Sequence, residues 1–161
     1  MFEELTAYIP KLQEGQFGEW IVDTQNDGSP EHPIQFPFVN FNNTVTAFVA
    51  AVYQFVDTHL PMDLRSYSAI LEKAGLKWDY NVMSNADVTG LTGRTVMALI
   101  LGAIRADRFC EGTLLSFFNE GHIIKWLQRL KEIDLEEENN ERGPAIDLSQ
   151  DHVDQHKHMG T

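Results

Sequence analysis

Cysteine is almost missing: Cys110 stands alone among 161 residues, so no disulfide can form within the chain. Stability must come from packing, as in a reducing compartment. Positive charge is scarce as well, with 12 lysines and arginines against 24 aspartates and glutamates, a net charge of −12. A field of that sign excludes nonspecific nucleic-acid binding, which needs basic groups on phosphates, and disfavours anionic membranes. The apolar run Val96–Ile104 is nine residues long, against the roughly 20 that span a bilayer. The opening Met1-Phe2-Glu3-Glu4 is acidic where a secretory signal would be basic. Glycine-rich phosphate loops, nucleophile elbows and zinc-protease motifs do not occur. The expectation is a cytoplasmic protein with no catalytic residue, no metal and no cofactor, binding neither nucleic acid nor membrane.

What is present is enough for a core. Hydrophobic residues make up 43% of the chain and aromatics 11%, which excludes disorder over most of the length. Charge is uneven: residues 1–64 hold nine acids against Lys11 alone, 65–134 are nearly balanced, and 135–161 hold seven acids against two bases. The simple reading is that the acidic half faces the more basic half; the sharper one is an acidic surface for a protein partner.

Periodicity then places elements. Phe2, Leu5, Ile9 and Leu12 have helical spacing, interrupted by Pro10. Trp20-Ile21-Val22, the turn Asn26-Asp27-Gly28 and the alternating Ile34, Phe36 and Phe38 predict a β-hairpin over about 18–39, with Pro33 and Pro37 confining its second strand to an edge. Its aromatics should lie on the helices. Asn42 or Asn43 caps a helix to about His59 with Val45, Phe48, Val49, Val52, Phe55 and Val56 inward. A weaker helix runs from Leu64 to Leu76, then mostly loop to Gly90. Thr92 caps a central helix to about Phe109. Gly112 and Gly121 bracket a short helix. The last one buries Ile123, Trp126, Leu127, Leu130 and Ile133, with Lys125, Arg129 and Lys131 outward. The fold class is therefore mainly α: five to six helices around a buried central helix (about 92–109) and the small hairpin, in one domain, 1–134. Residues 135–161 read as an acidic, disordered, histidine-containing tail. His152, His156 and His158 there have metal-ligand spacing but no apolar shell to fix them.

The central helix is apolar all round from Val96 to Ile104, so other elements must surround it. Gly102 within it costs about 1 kcal/mol of helix propensity, a cost best explained by a close neighbour. Directly after it come Arg105, Asp107, Arg108, Cys110, Glu111 and Gly112. Arg105 and Arg108, three apart on one helix face, with Arg94 and the bases of the last helix, could hold a phosphate or carboxylate. Arg94, Arg105, Arg108 and Glu111 are the candidate ligand-binding set. The rival reading is an ion-pair network tying this helix end to the acidic half. Cys110 beside Glu111 has no histidine brought near by spacing and reads as packing material. Trp20, Trp78 and Trp126 read as core, the alternative being a stacking pocket.

The stretch from Ala86-Asp-Val-Thr-Gly-Leu-Thr through Arg108-Phe-Cys-Glu-Gly to Ile124-Lys-Trp-Leu-Gln-Arg-Leu-Lys-Glu-Ile-Asp resembles a family of small bacterial proteins of unknown function. The likeness extends through Phe17-Gly18-Glu19-Trp20 and Phe36-Pro37, covering most of residues 1–134 and leaving out the tail. Similar domains sit beside macro domains that handle ADP-ribose, so the resemblance implies a nucleotide-related context and no catalytic residues to carry over. Two functions are expected to compete. One is a non-catalytic interaction or regulatory module with a protein partner or a second copy of the chain. The other is a ligand-binding or hydrolytic domain for a phosphorylated or nucleotide-like molecule, ADP-ribose included. A deep pocket at the converging groups favours the second, an exposed apolar patch the first.

Overall fold

The computed structural model describes residues 1–143. It runs α1 (Glu3–Thr6), α2 (Ile9–Leu12), β1 (Gly18–Ile21), β2 (Phe38–Phe41), α3 (Asn43–Thr58), α4 (Tyr67–Lys73), α5 (Tyr80–Ser84), α6 (Gly93–Ala106), α7 (Thr113–Asn119) and α8 (His122–Glu141). The 3-10 turns Leu60–Met62 and Leu64–Ser66 lead into α4. This is the mainly helical fold with a small antiparallel hairpin that the sequence predicts. The short α5 falls where loop is expected; Asp79 caps it by accepting from the Val82 amide at 3.1 Å.

Every residue of α6 from Thr95 to Ile104 is buried, so the helix has no face toward water. Thr92 caps it as expected, its hydroxyl accepting from the Thr95 amide at 3.3 Å. The close neighbour of Gly102 is Trp78: a Cβ on Gly102 would meet the Met83 methyl at 3.2 Å and Trp78 Cδ1 at 3.4 Å. The same indole donates Nε1–H to the Gly102 carbonyl at 2.9 Å. The helix stops at Ala106, short of the expected Phe109. Its last amides, of Arg108 and Phe109, reach back only three residues, to Arg105 and Ala106. Asp107 turns away to accept from the Gly112 and Leu114 amides at 3.0 and 3.1 Å, supplying the start of α7 with an acceptor.

On α8 the predicted stripe, Ile123, Trp126, Leu127, Leu130 and Ile133, is buried. Two details depart from expectation. Arg129 is not outward: its side chain is only 11% exposed, donating to the Leu91 carbonyl at 3.2 Å and to Glu136 at 3.1 Å. The helix also continues past Asp134 to Glu141. Asp134 itself is buried and accepts from the Phe2 amide at 2.9 Å, fastening the first helix to the last. The remainder of the tail, with its three histidines, lies outside the described residues.

The hairpin differs most. Its pairing joins Gly18–Ile21 to Phe38–Phe41, so the second strand begins after Pro37 instead of spanning 34–38. Proline has no N–H for a ladder, and the Gln35 amide goes to the Asp23 carboxylate at 2.9 Å. Asp23 also accepts from the Gln25 and Asn26 amides and the Asn26 side chain, which together shape the loop between the strands. These donors hold its carboxyl well below the usual range, the Gln35 amide most strongly. Phe17 and Val39 anchor the hairpin's base in the core, whereas Phe36 is 88% exposed, contrary to the expectation that the hairpin aromatics pack on helices. The three tryptophans do not share a pocket. Trp126 is buried beside Phe117, Trp78 lies against Tyr67 and Phe109, and Trp20, 47% exposed instead of core, covers Gly112.

Two substitutions test this packing. Leu130→Ala should cost about 2–5 kcal/mol in urea unfolding, the range for emptying a core leucine. Gly112→Ala meets two penalties: its φ of +92° is in the left-handed region, and the new Cβ would fall on the Trp20 indole. The backbone part is about 1–2 kcal/mol. In a double-mutant cycle, Trp20→Ala should relieve the steric part of the loss and leave the backbone part.

Candidate functional site

Two hollows open beside the C-terminal end of α6, one on each side of Tyr53. The first, about 460 Å³, is lined by Tyr53, Asp57, Arg65, Tyr67 and Arg105 over Val56 and Leu101. Helical spacing puts Tyr53 and Asp57 on one face of α3. Arg65 comes from the 3-10 turn, Tyr67 from the start of α4 and Arg105 from the last turn of α6. The floor is apolar because Val56 and Leu101 belong to the core. Tyr53 and Tyr67 line this hollow with Arg105, and their hydroxyls raise the guanidinium's pKa still further, Tyr53 contributing most. Arg65 donates to Asp57 at 2.9 Å in an exposed pair. Among the described residues neither Arg105 nor Arg108 forms an ion pair.

The second hollow, about 360 Å³, has walls of Phe41, Val45, Val49, Ile104 and Leu114, with Asp107, Arg108 and Glu111 also lining it. Both carboxylates there already serve the backbone. Asp107 holds the start of α7, and Glu111 Oε1 accepts from the Val39 amide at 2.8 Å. The strand register explains that contact. The Asn42 amide donates to the Phe17 carbonyl, so in this antiparallel pair the alternate position Trp20–Val39 is non-hydrogen-bonded and the Val39 amide points away from β1. Burial pushes the Asp107 carboxyl above its ordinary range. The Leu114 and Gly112 amides work against that shift, and the neighbouring Glu111 adds to it.

The candidate set is thus divided. Arg105 lines the first hollow, Arg108 and Glu111 the second, and the helix break after Ala106 takes Arg108 off Arg105's face. Arg94 stands eleven residues before Arg105, about 16 Å along a helix axis. It donates to the Met62 carbonyl at 2.7 Å, next to Asp63 with its left-handed φ of 50°. Arg129, at Leu91, is likewise far from Arg105 along α6. The ion-pair network posed as the rival is not what joins this region to the acidic half; the Glu111–Val39 hydrogen bond does so. Tyr53, Asp57, Arg65 and Tyr67 are absent from the sequence-based set. Their only signal is Asp57 four residues after Tyr53 on an otherwise apolar stripe.

Cys110 is exposed in the turn rather than packed. No group of three or more potential metal ligands occurs among the described residues, and no helix among them is long and apolar enough to cross a membrane. A second polar cluster joins the Tyr80 hydroxyl to Glu120, which also meets His122 at 3.2 Å. Burial, followed by Glu120, pushes the Tyr80 phenol up to about 12. That cluster braces α5 against the α7–α8 corner and borders neither hollow.

The chain belongs to a family of unknown function, DUF6508, whose model matches residues 1–136. That span includes both hollows and every residue of the sequence resemblance. No curated protein and no solved structure matches the chain.

Asp107 gives a pH test. Its folded pKa lies above the reference value of 3.8, so between the two values the folded state binds more proton than the unfolded state and acidification favours folding through this group. The stability of the wild type relative to Asp107→Asn should rise as pH falls toward 3.8, and be flat above the carboxylate range. Urea midpoints at successive pH values measure it; a falling difference would mean that the amide donors outweigh burial.

Proposed function

We propose that this domain is a non-catalytic binding module whose ligand presents a phosphate or carboxylate to Arg105. The observation that carries the reading is a guanidinium without an ion-pair partner, sharing a hollow with two tyrosines above core side chains. A guanidinium fork matches both anions in two-point geometry. The phenol hydroxyls add donors, and the apolar floor excludes water from one side of the contact. Asp57 opposes binding, because it occupies Arg65 and adds negative charge at the rim.

A protein partner is favoured by a different observation. Val22, Ile34 and Phe36 are exposed on the hairpin loop that Asp23 organises, among carboxylates and with no lysine or arginine from Gly18 to Phe41. That surface makes the acidic hairpin a second binding face, separate from the Arg105 hollow.

Inorganic phosphate is the direct probe for the first reading. Its titration should raise the thermal midpoint of the wild type more than that of Arg105→Ala, which keeps phosphate's general salt effect and loses the site. Asp57→Asn should tighten calorimetric binding about two- to fivefold, as expected for removing an exposed ion pair and its rim charge. Equal midpoint shifts in wild type and Arg105→Ala would overturn the reading.

A further inference from the structure

We infer that the ligand of this site is an organic acid with a single anionic head, such as a phosphate monoester, whose apolar body lies across Tyr53 in the second hollow. This rests on Arg105 holding the anion. The two hollows are next to one another: Tyr53 lines both, and the consecutive residues Ile104 and Arg105 line one each. They differ in chemistry. The Arg105 side offers one guanidinium without an ion-pair partner, two phenols and the paired Arg65 and Asp57. The other side offers five apolar walls, from Phe41, Val45, Val49, Ile104 and Leu114. A bare inorganic anion uses only the first, and leaves the partly exposed Phe41 and Val49 against water. A ligand with a ring or short chain on its anionic head covers both, and the apolar surface it removes from water adds to affinity.

The rim of the second hollow sets a limit on the far end of that body. Asp107 and Glu111 each spend one oxygen on backbone amides, and both carboxylates remain beside the space where the body ends. Arg108 offsets one of them. A second phosphate or carboxylate at that end would meet two negative groups and one positive group. The site therefore selects against acids charged at both ends, in contrast to a general phosphate cradle.

Three probes separate these statements: inorganic phosphate, hexyl phosphate and hexane-1,6-diyl bisphosphate, titrated calorimetrically into the full chain. Hexyl phosphate should bind at least tenfold more tightly than phosphate, and the bisphosphate more weakly than hexyl phosphate. Thr46 is exposed at the wall of the second hollow, so Thr46→Trp fills that space without disturbing the core. It should abolish the advantage of the hexyl chain while leaving phosphate binding unchanged. Val49→Asp should do the same, and a melting curve checks that this partly buried position still folds. Equal binding of phosphate and hexyl phosphate, or a hexyl advantage that survives Thr46→Trp, would overturn the two-part site and leave the Arg105 reading intact. A bisphosphate as tight as hexyl phosphate would overturn the selection against a second charge. Binding of all three that is indifferent to Arg105→Ala would overturn the Arg105 reading and this inference with it.

Discussion

A helix with no polar face can exist in water only if it is covered on every side, and α6 imposes that condition on the rest of the chain. Thr95 through Ile104 are buried, so α4, α7 and α8 are fixed relative to one another by the helix they share. The hydrophobic term is non-directional, yet the wrapping is specific because small residues on α6 admit particular partners. Gly102 receives the Trp78 indole, and Gly93 receives the Phe2 ring, which stands 2.6 Å from where a Cβ would be. The first helix is thereby set against the start of α6, and Asp134 on α8 fixes the same segment through the Phe2 amide.

The covering fails where α6 ends, and the chemistry collects there. Leaving the helix, the backbone has amides without helical acceptors and a two-stranded hairpin to hold. Asp107 supplies acceptors to the start of α7, and Glu111 supplies one to the outward amide of β2. Of the acids near Arg105 and Arg108, Asp107 and Glu111 are turned to backbone donors and Asp57 is paired with Arg65. The unpaired guanidinium of Arg105 follows from the folding needs of its neighbours. A local concentration of positive charge arises in a protein of net charge −12 without any surplus of basic residues.

How much of this was legible in the sequence depends on range. Local signals carried: the Asn42 and Thr92 caps, the glycines at 112 and 121, the stripes of α3 and α8 and the burial of α6 all follow from spacing within a few residues. The second strand was misplaced because alternation at Ile34, Phe36 and Phe38 measures side-chain period alone, and Pro37 with the Asp23–Gln35 hydrogen bond moves the ladder onto Phe38–Phe41. Long-range contacts left no trace. Glu111 and Val39 are 72 positions apart, and nothing in either residue names the other. Arg94 and Arg105 look alike in sequence, but one satisfies the Met62 carbonyl at a left-handed turn and the other shares a hollow with two tyrosines. Tyr53 and Tyr67 pass as core aromatics because their rings are core; only their hydroxyl tips belong to the site.

The sign of the whole molecule and the sign of the hollow then act on different ligands. At physiological ionic strength charges are screened over about 8 Å, so the net charge of −12 acts on a polyanion that spans the surface more than on a small acid at one hollow. On the reading proposed above, a small acid entering the hollow exchanges that field for the local one, where Arg105 and two tyrosines line a space over an apolar floor. The same argument applies within the site: moving from Arg105 across Tyr53 to Asp107 and Glu111, the local potential changes sign over the length of a small molecule. An acid with one charged end and one apolar end lies along that gradient with each part in a compatible environment.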